Sequence, residues 1–299
     1  MENDCIKRRG HNHALAPPWW ERFGFRLHKA IKYNSIIFGA VYEYEGPASV
    51  LHHPCGPPRY VAAFRGTMLR APRSKLLRAT STNARCATTR LLYTTNGTSN
   101  VCLAGHSLGA SQALDVGRFM MAEKGLNLPT FLFNPPPVSL APAINLLRPT
   151  EKAKMDLCAM SYLLKAGLCK VLNLKPHKER MKKLFERLSP WAPELYVHEK
   201  DPICKGYIDY FEQRQQVQER FHRVAKSAMM LSYRDMICSS FGKEKERPHL
   251  LPSARLWKNT SMDGDAHALR EWWKADGDFE LEGQEIQLPM STVHKDFCC

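Results

Sequence analysis

The feature that most constrains this chain is a five-residue run, Gly105-His106-Ser107-Leu108-Gly109, set between two segments of different periodicity. Before it, Val101 to Ala104 is a short apolar run of the kind that forms a parallel strand buried on both faces. After it, the apolar residues of Leu108 to Glu123 recur at helical spacing, and Gly125 is placed to stop the helix. A further short apolar run, Thr130 to Phe133, follows. Strand, helix, strand in that order is a βαβ unit, and such units imply a parallel sheet. Tyr60 to Phe64 reads as another strand of the same type, and Leu195 to His198 as a weaker fourth.

The pattern G-x-S-x-G is common by itself, and its setting between a strand and a helix is what gives it chemical meaning. The turn is so tight that the serine is held in strained backbone geometry. A side chain two residues away on either flank would clash, which accounts for Gly105 and Gly109. Ser107 Oγ then stands at the carboxyl end of the sheet, close to a helix N-terminus whose dipole and N–H groups favour developing negative charge. The backbone N–H of Leu108 is one expected oxyanion donor.

A serine hydroxyl is a poor nucleophile without a base and a carboxylate to orient that base. In this setting the chain order is serine, acid, histidine, so the partners follow Ser107. Asp201 lies in the turn His198-Glu199-Lys200-Asp201-Pro202, directly after a strand candidate, with Glu199 as its nearest rival. The candidate bases are His222, His249, His267 and His294. His222 falls in a helical pattern and His294 in the terminal tail. His249 and His267 both sit in loop-like stretches, and residue pattern alone does not separate them.

The totals narrow the alternatives. The chain has 299 residues, of which 44% are hydrophobic and 24% charged, enough for a sizeable core. Its formal net charge is +14, spread along the chain with concentrations at 65–90 and 165–187. That balance suits an anionic membrane face, whereas no zinc-finger spacing or RNA-binding signature supports a nucleic-acid partner. The ten cysteines include no C-x-x-C pair, which speaks against a zinc site, and their scatter does not resemble a disulfide framework. Met1 to Arg9 leads into no apolar stretch, and no run approaches the roughly 18 apolar residues of a membrane span. A cytoplasmic location is the expectation. The two N-x-S/T sequons, at Asn96 and Asn259, read as chance matches, and Cys298-Cys299 as two exposed thiols.

Several stretches are recognisable together: Phe64-Arg65-Gly66-Thr67, Leu103 to Ala110, Phe131-Leu132-Phe133-Asn134-Pro135-Pro136, Asp201-Pro202-Ile203-Cys204, His249 to Ala254, and Ala266-His267 followed by Trp272-Trp273. With these motifs the chain resembles the class 3 (fungal-type) lipase family, and most nearly its plant intracellular branch, from about Ser35 to Trp273. The resemblance implies an α/β-hydrolase fold, a mostly parallel sheet flanked by helices. It also implies a triad of Ser107, Asp201 and His267, with Thr67 joining Leu108 in the oxyanion hole. The implied substrate is a lipid or other small ester, with no cofactor.

The expected organisation is an N-terminal extension over 1–34, helical in 18–32, then a hydrolase domain over 35–280 and a tail over 281–299. Helical insertions are expected near 151–188 and 206–240, and their position leaves open a cap over the site or ordinary packing helices. Ser35 to Tyr44 is helix or strand on this reading. Residues 68–96 depart from the family: they are basic, rich in Thr, Arg and Ser, and show no clean helical periodicity, which leaves open a lid or an irregular segment. That segment also favours a non-catalytic, hydrolase-fold binding scaffold as an alternative. An acyltransferase or thioesterase using the same triad is the other.

Overall fold

The computed structural model describes residues 18–33, 36–47, 51, 56–66, 73–95, 100–136, 175–220, 251–261, 264–272 and 281–286. They build an eight-stranded sheet whose spatial order follows the sequence. The strands are β1 (Phe25–Tyr33), β2 (Ile36–Tyr44), β3 (Tyr60–Phe64), β4 (Val101–His106), β5 (Thr130–Phe133), β6 (Glu194–His198), β7 (Ala254–Asn259) and β8 (Leu281–Ile286). The five from β3 to β7 run parallel, and β1, β2 and β8 add antiparallel edges. Among the described residues, four helices connect the parallel strands: α1 (Arg73–Thr94), α2 (Leu108–Phe119), α3 (Lys175–Leu188) and α4 (Gly206–Arg220). This is the expected α/β-hydrolase architecture, and it brings the carboxyl ends of the parallel strands to one edge of the sheet.

Sheet register explains the core. Phe64, Gly105, Leu132, Leu195 and Leu256 are cross-strand neighbours in one continuous row. The four with side chains are buried at 0–2% exposure against residues of all four helices. The next row, on the opposite face, carries Phe133, Tyr196 and Trp257, with Phe133 stacked on Tyr196 and Tyr196 on Trp257.

The structure departs from the sequence expectations at both ends of the sheet. The stretch 18–32 is a 3-10 turn (Trp19–Phe23) followed by β1, and Ile36–Tyr44 is a strand. The sheet therefore begins before residue 35 and extends past residue 280 into β8. Two register shifts break β1, between Leu27 and Lys29 and between Ile31 and Lys32, so its alternation changes phase and the period-two signal is lost. In β8 the apolar residues are confined to the two ends. Its Gly283 lies opposite Trp257, whose ring is so close that a Cβ there would sit 2.6 Å from it.

The largest correction is in 68–96. Residues 73–94 form a regular helix, α1. Its buried positions Thr80, Ala84, Thr88, Leu91 and Leu92 recur at helical spacing, but two are threonines and one is alanine, so hydropathy barely registers the stripe. Arg85 fixes α1 to α2 through a two-pronged ion pair with Asp115, at 2.9 and 2.7 Å. Elsewhere α2 runs as expected, ending in a π-helical turn (Met120–Lys124) closed by Gly125 at φ 68°. The insertions are described only in α3 and α4. The rest of 151–188 and of 206–240 lies outside the described residues. Among the described residues, no helix is long and apolar enough to cross a membrane.

Candidate active site

Ser107 lies between β4 and α2 with φ 54° and ψ −125°, a backbone conformation that L residues rarely adopt. The neighbouring glycines show why the chain is built this way. A Cβ on Gly105 would run into the backbone of Gly109, with Ala110 N at 2.6 Å. A Cβ on Gly109 would run into the Phe64 carbonyl at the end of β3. The turn therefore closes against both α2 and β3, and only glycine fits at either flank. Ser107 N–H donates to the Phe133 carbonyl at 2.9 Å, tying the turn to β5 as well. Leu108 is the first residue of α2, so the helix itself offers no acceptor for its N–H.

Two loops bring the other side chains to Ser107. Asp201 follows β6 and is fully buried. Its Oδ1 accepts the Ile203 N–H at 2.9 Å, a local turn that fixes the carboxylate. Its Oδ2 faces His267 Nδ1 at 2.7 Å. A carboxylate is an acceptor, so in the neutral imidazole Nδ1 carries the proton and Nε2 is left with a lone pair. That lone pair points at Ser107 Oγ, 3.0 Å away, which donates its hydroxyl proton. Serine, histidine and aspartate thus form one continuous hydrogen-bond chain, with the imidazole in the tautomer that can accept a proton from serine. Glu199, the rival carboxylate, is exposed. His222, His249 and His294 lie outside the described residues, as does Thr67. Gly66, the residue before Thr67, packs against the serine turn: a Cβ there would sit 3.2 Å from the His106 carbonyl.

Two residues beside the chain were not assigned a role from sequence. Asn134, at the carboxyl end of β5, is fully buried with φ 45°. Its Nδ2 donates to Asp201 Oδ2 at 3.0 Å and to the Ala266 carbonyl at 2.7 Å, and its Oδ1 accepts the Trp272 indole N–H at 2.7 Å. His106, read only as part of the serine turn, donates from Nε2 to the His267 carbonyl at 2.8 Å. Burial lowers the His106 pKa from its ordinary value, and the bond to the His267 carbonyl only partly opposes this, so the ring is neutral near pH 7. The available signal for Asn134 was its place directly after a strand at the site's end of the sheet, in a residue type that tolerates positive φ. Cys204, one turn beyond Asp201, is buried, and its burial together with the nearby carboxylate pushes the thiol pKa up, so it stays protonated and uncharged. No cluster of three or more His, Cys, Asp or Glu side chains is placed to hold a metal among the described residues.

A strained serine at a strand-to-helix turn, at the carboxyl end of a mostly parallel sheet and in line with a histidine and a buried carboxylate, defines a protein of the α/β-hydrolase class. The chain is 32% identical over 306 aligned residues to a GDSL esterase/lipase of Arabidopsis thaliana, spanning 93% of this chain and 85% of that protein, and it belongs to that esterase/lipase family. At the motif this chain reads Gly105-His106-Ser107-Leu108, with histidine at the second position. The crystal structure of EstE5 soaked with p-nitrophenyl butyrate is a distant likeness, at 10% identity and a TM-score of 0.33 over 69% of this chain and 83% of its own. No family model matches the chain.

Proposed function

We propose that the protein hydrolyses carboxylic esters through a covalent acyl-enzyme on Ser107. The observation that carries this is the pair of hydrogen bonds from Ser107 Oγ to His267 Nε2 and from His267 Nδ1 to Asp201, at 3.0 and 2.7 Å. In the first half-reaction Ser107 Oγ attacks the ester carbonyl while its proton passes to His267 Nε2. Asp201 holds the ring and offsets its new positive charge. The N–H of Leu108, at the start of α2, and that of Thr67 would receive the oxyanion. Collapse of the tetrahedral intermediate expels the alcohol, which takes the proton from His267. A water then gives a proton to His267 and attacks the acyl group; collapse of the second intermediate releases the acid and returns that proton from His267 to Ser107 Oγ.

A class 3 lipase reading, finer than esterase/lipase, is supported by the F-R-G-T, G-H-S-L-G, D-P-I-C and Ala-His stretches. It points to an acyl ester of a lipid as substrate, and the net charge of +14 suits an anionic membrane as the surface where such a substrate is met. The scaffold alternative drew on the apparent irregularity of 68–96. The regular helix over 73–94 removes that support.

The test is hydrolysis of short and long p-nitrophenyl esters by the wild type and by Ser107→Ala, with a fluorophosphonate label in parallel. Removing the nucleophile should cost on the order of 10⁵–10⁶ in turnover and abolish labelling. A folded wild type that neither turns over nor takes the label would sink the reading.

A further inference from the structure

The segment that carries His267 has little regular structure to hold it. Gly264 has φ 99°, and the segment then makes short local turns, His267 N–H to Asp265 Oδ1 and Ala268 N–H to the Asp265 carbonyl, before a 3-10 turn over Leu269–Trp272. Local turns of this kind shape a loop but do not place it against the rest of the molecule. Two side chains do. His106 Nε2 donates to the carbonyl of His267, and Asn134 Nδ2 donates to the carbonyl of Ala266, so two consecutive carbonyls of the base's own backbone are held at 2.8 and 2.7 Å. The first comes from the residue next to the nucleophile. The second comes from a residue that also touches the acid.

The chemistry of each clamp is fixed by its partners. The acceptors at Asn134 Nδ2 are a carboxylate and a carbonyl, and the group at Oδ1 is an indole N–H, which only donates, so the amide has one satisfying orientation. His106 faces a carbonyl through Nε2, which must therefore carry the proton. The ring also lies 5.0 Å from the His267 ring, centroid to centroid, so it limits tilting of the base.

We infer that His106 and Asn134 are positioning residues that act as a two-point clamp on the base loop, setting where the His267 imidazole stands between Ser107 and Asp201. Neither touches a substrate atom or moves a proton in the reaction; each fixes the backbone from which the base projects. Misplacing a reacting group by about 1 Å can cost about 100-fold in rate. The loss therefore falls on kcat, with KM little changed.

The inference rests on the ester-hydrolase reading for its kinetic side, and amide hydrogen exchange tests the clamp separately. The variants are His106→Phe, which keeps a ring and loses the donor, His106→Gln, which keeps an N–H donor, and Asn134→Ala. The expected results for His106→Phe are a kcat on p-nitrophenyl esters lower by about 10- to 100-fold at similar KM and faster exchange at the amides of His267 and Ala268. His106→Gln should recover most of both losses. Asn134→Ala should behave as His106→Phe does. If that buried substitution fails to fold, the His106 pair decides. The clamp is overturned if His106→Phe matches the wild type in exchange, or if His106→Gln is as impaired as His106→Phe. A wild type inert toward esters, with exchange still raised in His106→Phe, sinks the hydrolase reading and leaves the clamp standing.

Discussion

The carboxylate of Asp201 is fully buried, yet it meets the partly exposed His267 ring at 2.7 Å, so the carboxylate is shielded from water while the imidazole it holds is not. Asparagine in place of Asp201 has nearly the same shape but presents an amide to Nδ1. The ring can then adopt the tautomer with its proton on Nε2, which cannot accept from serine. Asp201→Asn is expected to fold normally and to lose about 10⁴ in kcat. Steady-state kinetics beside a circular dichroism melt check this, and an active, folded Asp201→Asn would remove Asp201 from the proposed triad.

Two glycines of the β4–α2–β5 unit are fixed by different forces, and alanine separates them. At Gly109 the added methyl meets the backbone carbonyl carbon of Arg65 at 2.7 Å and lies closer still to Phe64, so main chain must move. We expect Gly109→Ala to lose about 2–3 kcal/mol of stability and most ester hydrolysis. At Gly125 nothing lies within 4 Å, and the only penalty is the positive φ. Gly125→Ala is expected to lose about 1–2 kcal/mol with kcat unchanged. Urea unfolding and kinetics on both variants separate the two cases, and equal loss of kcat in both would contradict this account.

The central part of the fold was legible in the sequence because parallel strands buried on both faces read as short apolar runs. Tyr60 to Phe64, Val101 to Ala104 and Thr130 to Phe133 all did, although the second strand runs on to His106. The serine turn was legible because sterics leave few residues able to occupy it. Residue pattern could not separate His249 from His267, since what sets His267 apart is its reach to a carboxylate 66 positions away in the chain. Family resemblance pointed to the same side chain that the fold brings to Ser107. Asn134 was quoted as part of a motif without a role, because its three partners lie on three different segments and meet only in the folded chain. The edge strands were missed for local reasons: β1 loses alternation at its bulges, and the β8 sequence carries apolar residues only at its two ends.

At the β1–β2–β3 edge, Glu43 stands directly across from Arg26 on one side and Tyr60 on the other. Burial pushes its carboxyl pKa up, but hydrogen bonds from Arg26, Arg59 and Tyr60 outweigh that and hold it at about 2, against an ordinary value of 4.5. A folded-state value below the unfolded one means that Glu43 contributes its full stability above about pH 4.5 and loses it as the pH falls toward about 2. Glu43→Gln should be less stable than the wild type at pH 7 by about 1–3 kcal/mol. The difference should shrink on acidification to pH 3. Urea unfolding at the two pH values is the check, and a difference that stays constant would show that the carboxylate's charge is not what matters.

The threonines hidden in α1 give the last prediction. Thr80 and Thr88 lie two turns apart on the same buried face. Thr80 Oγ1 accepts from Gln112 Nε2 of α2 at 3.1 Å. The Thr88 hydroxyl is buried with no hydrogen-bond partner among the described residues. Valine matches threonine closely in shape and replaces the hydroxyl with a methyl. At Thr88 it removes a desolvated polar group that gains nothing, so Thr88→Val is expected to stabilise the protein by about 1 kcal/mol. At Thr80 the same change takes the acceptor from a buried amide, so Thr80→Val is expected to destabilise by about 1–2 kcal/mol. Chemical denaturation of the two single variants decides it. Opposite signs would show that α1 docks on α2 through a side-chain hydrogen bond as well as through packing, whereas the same sign in both would mean that the threonines serve only as small apolar filler.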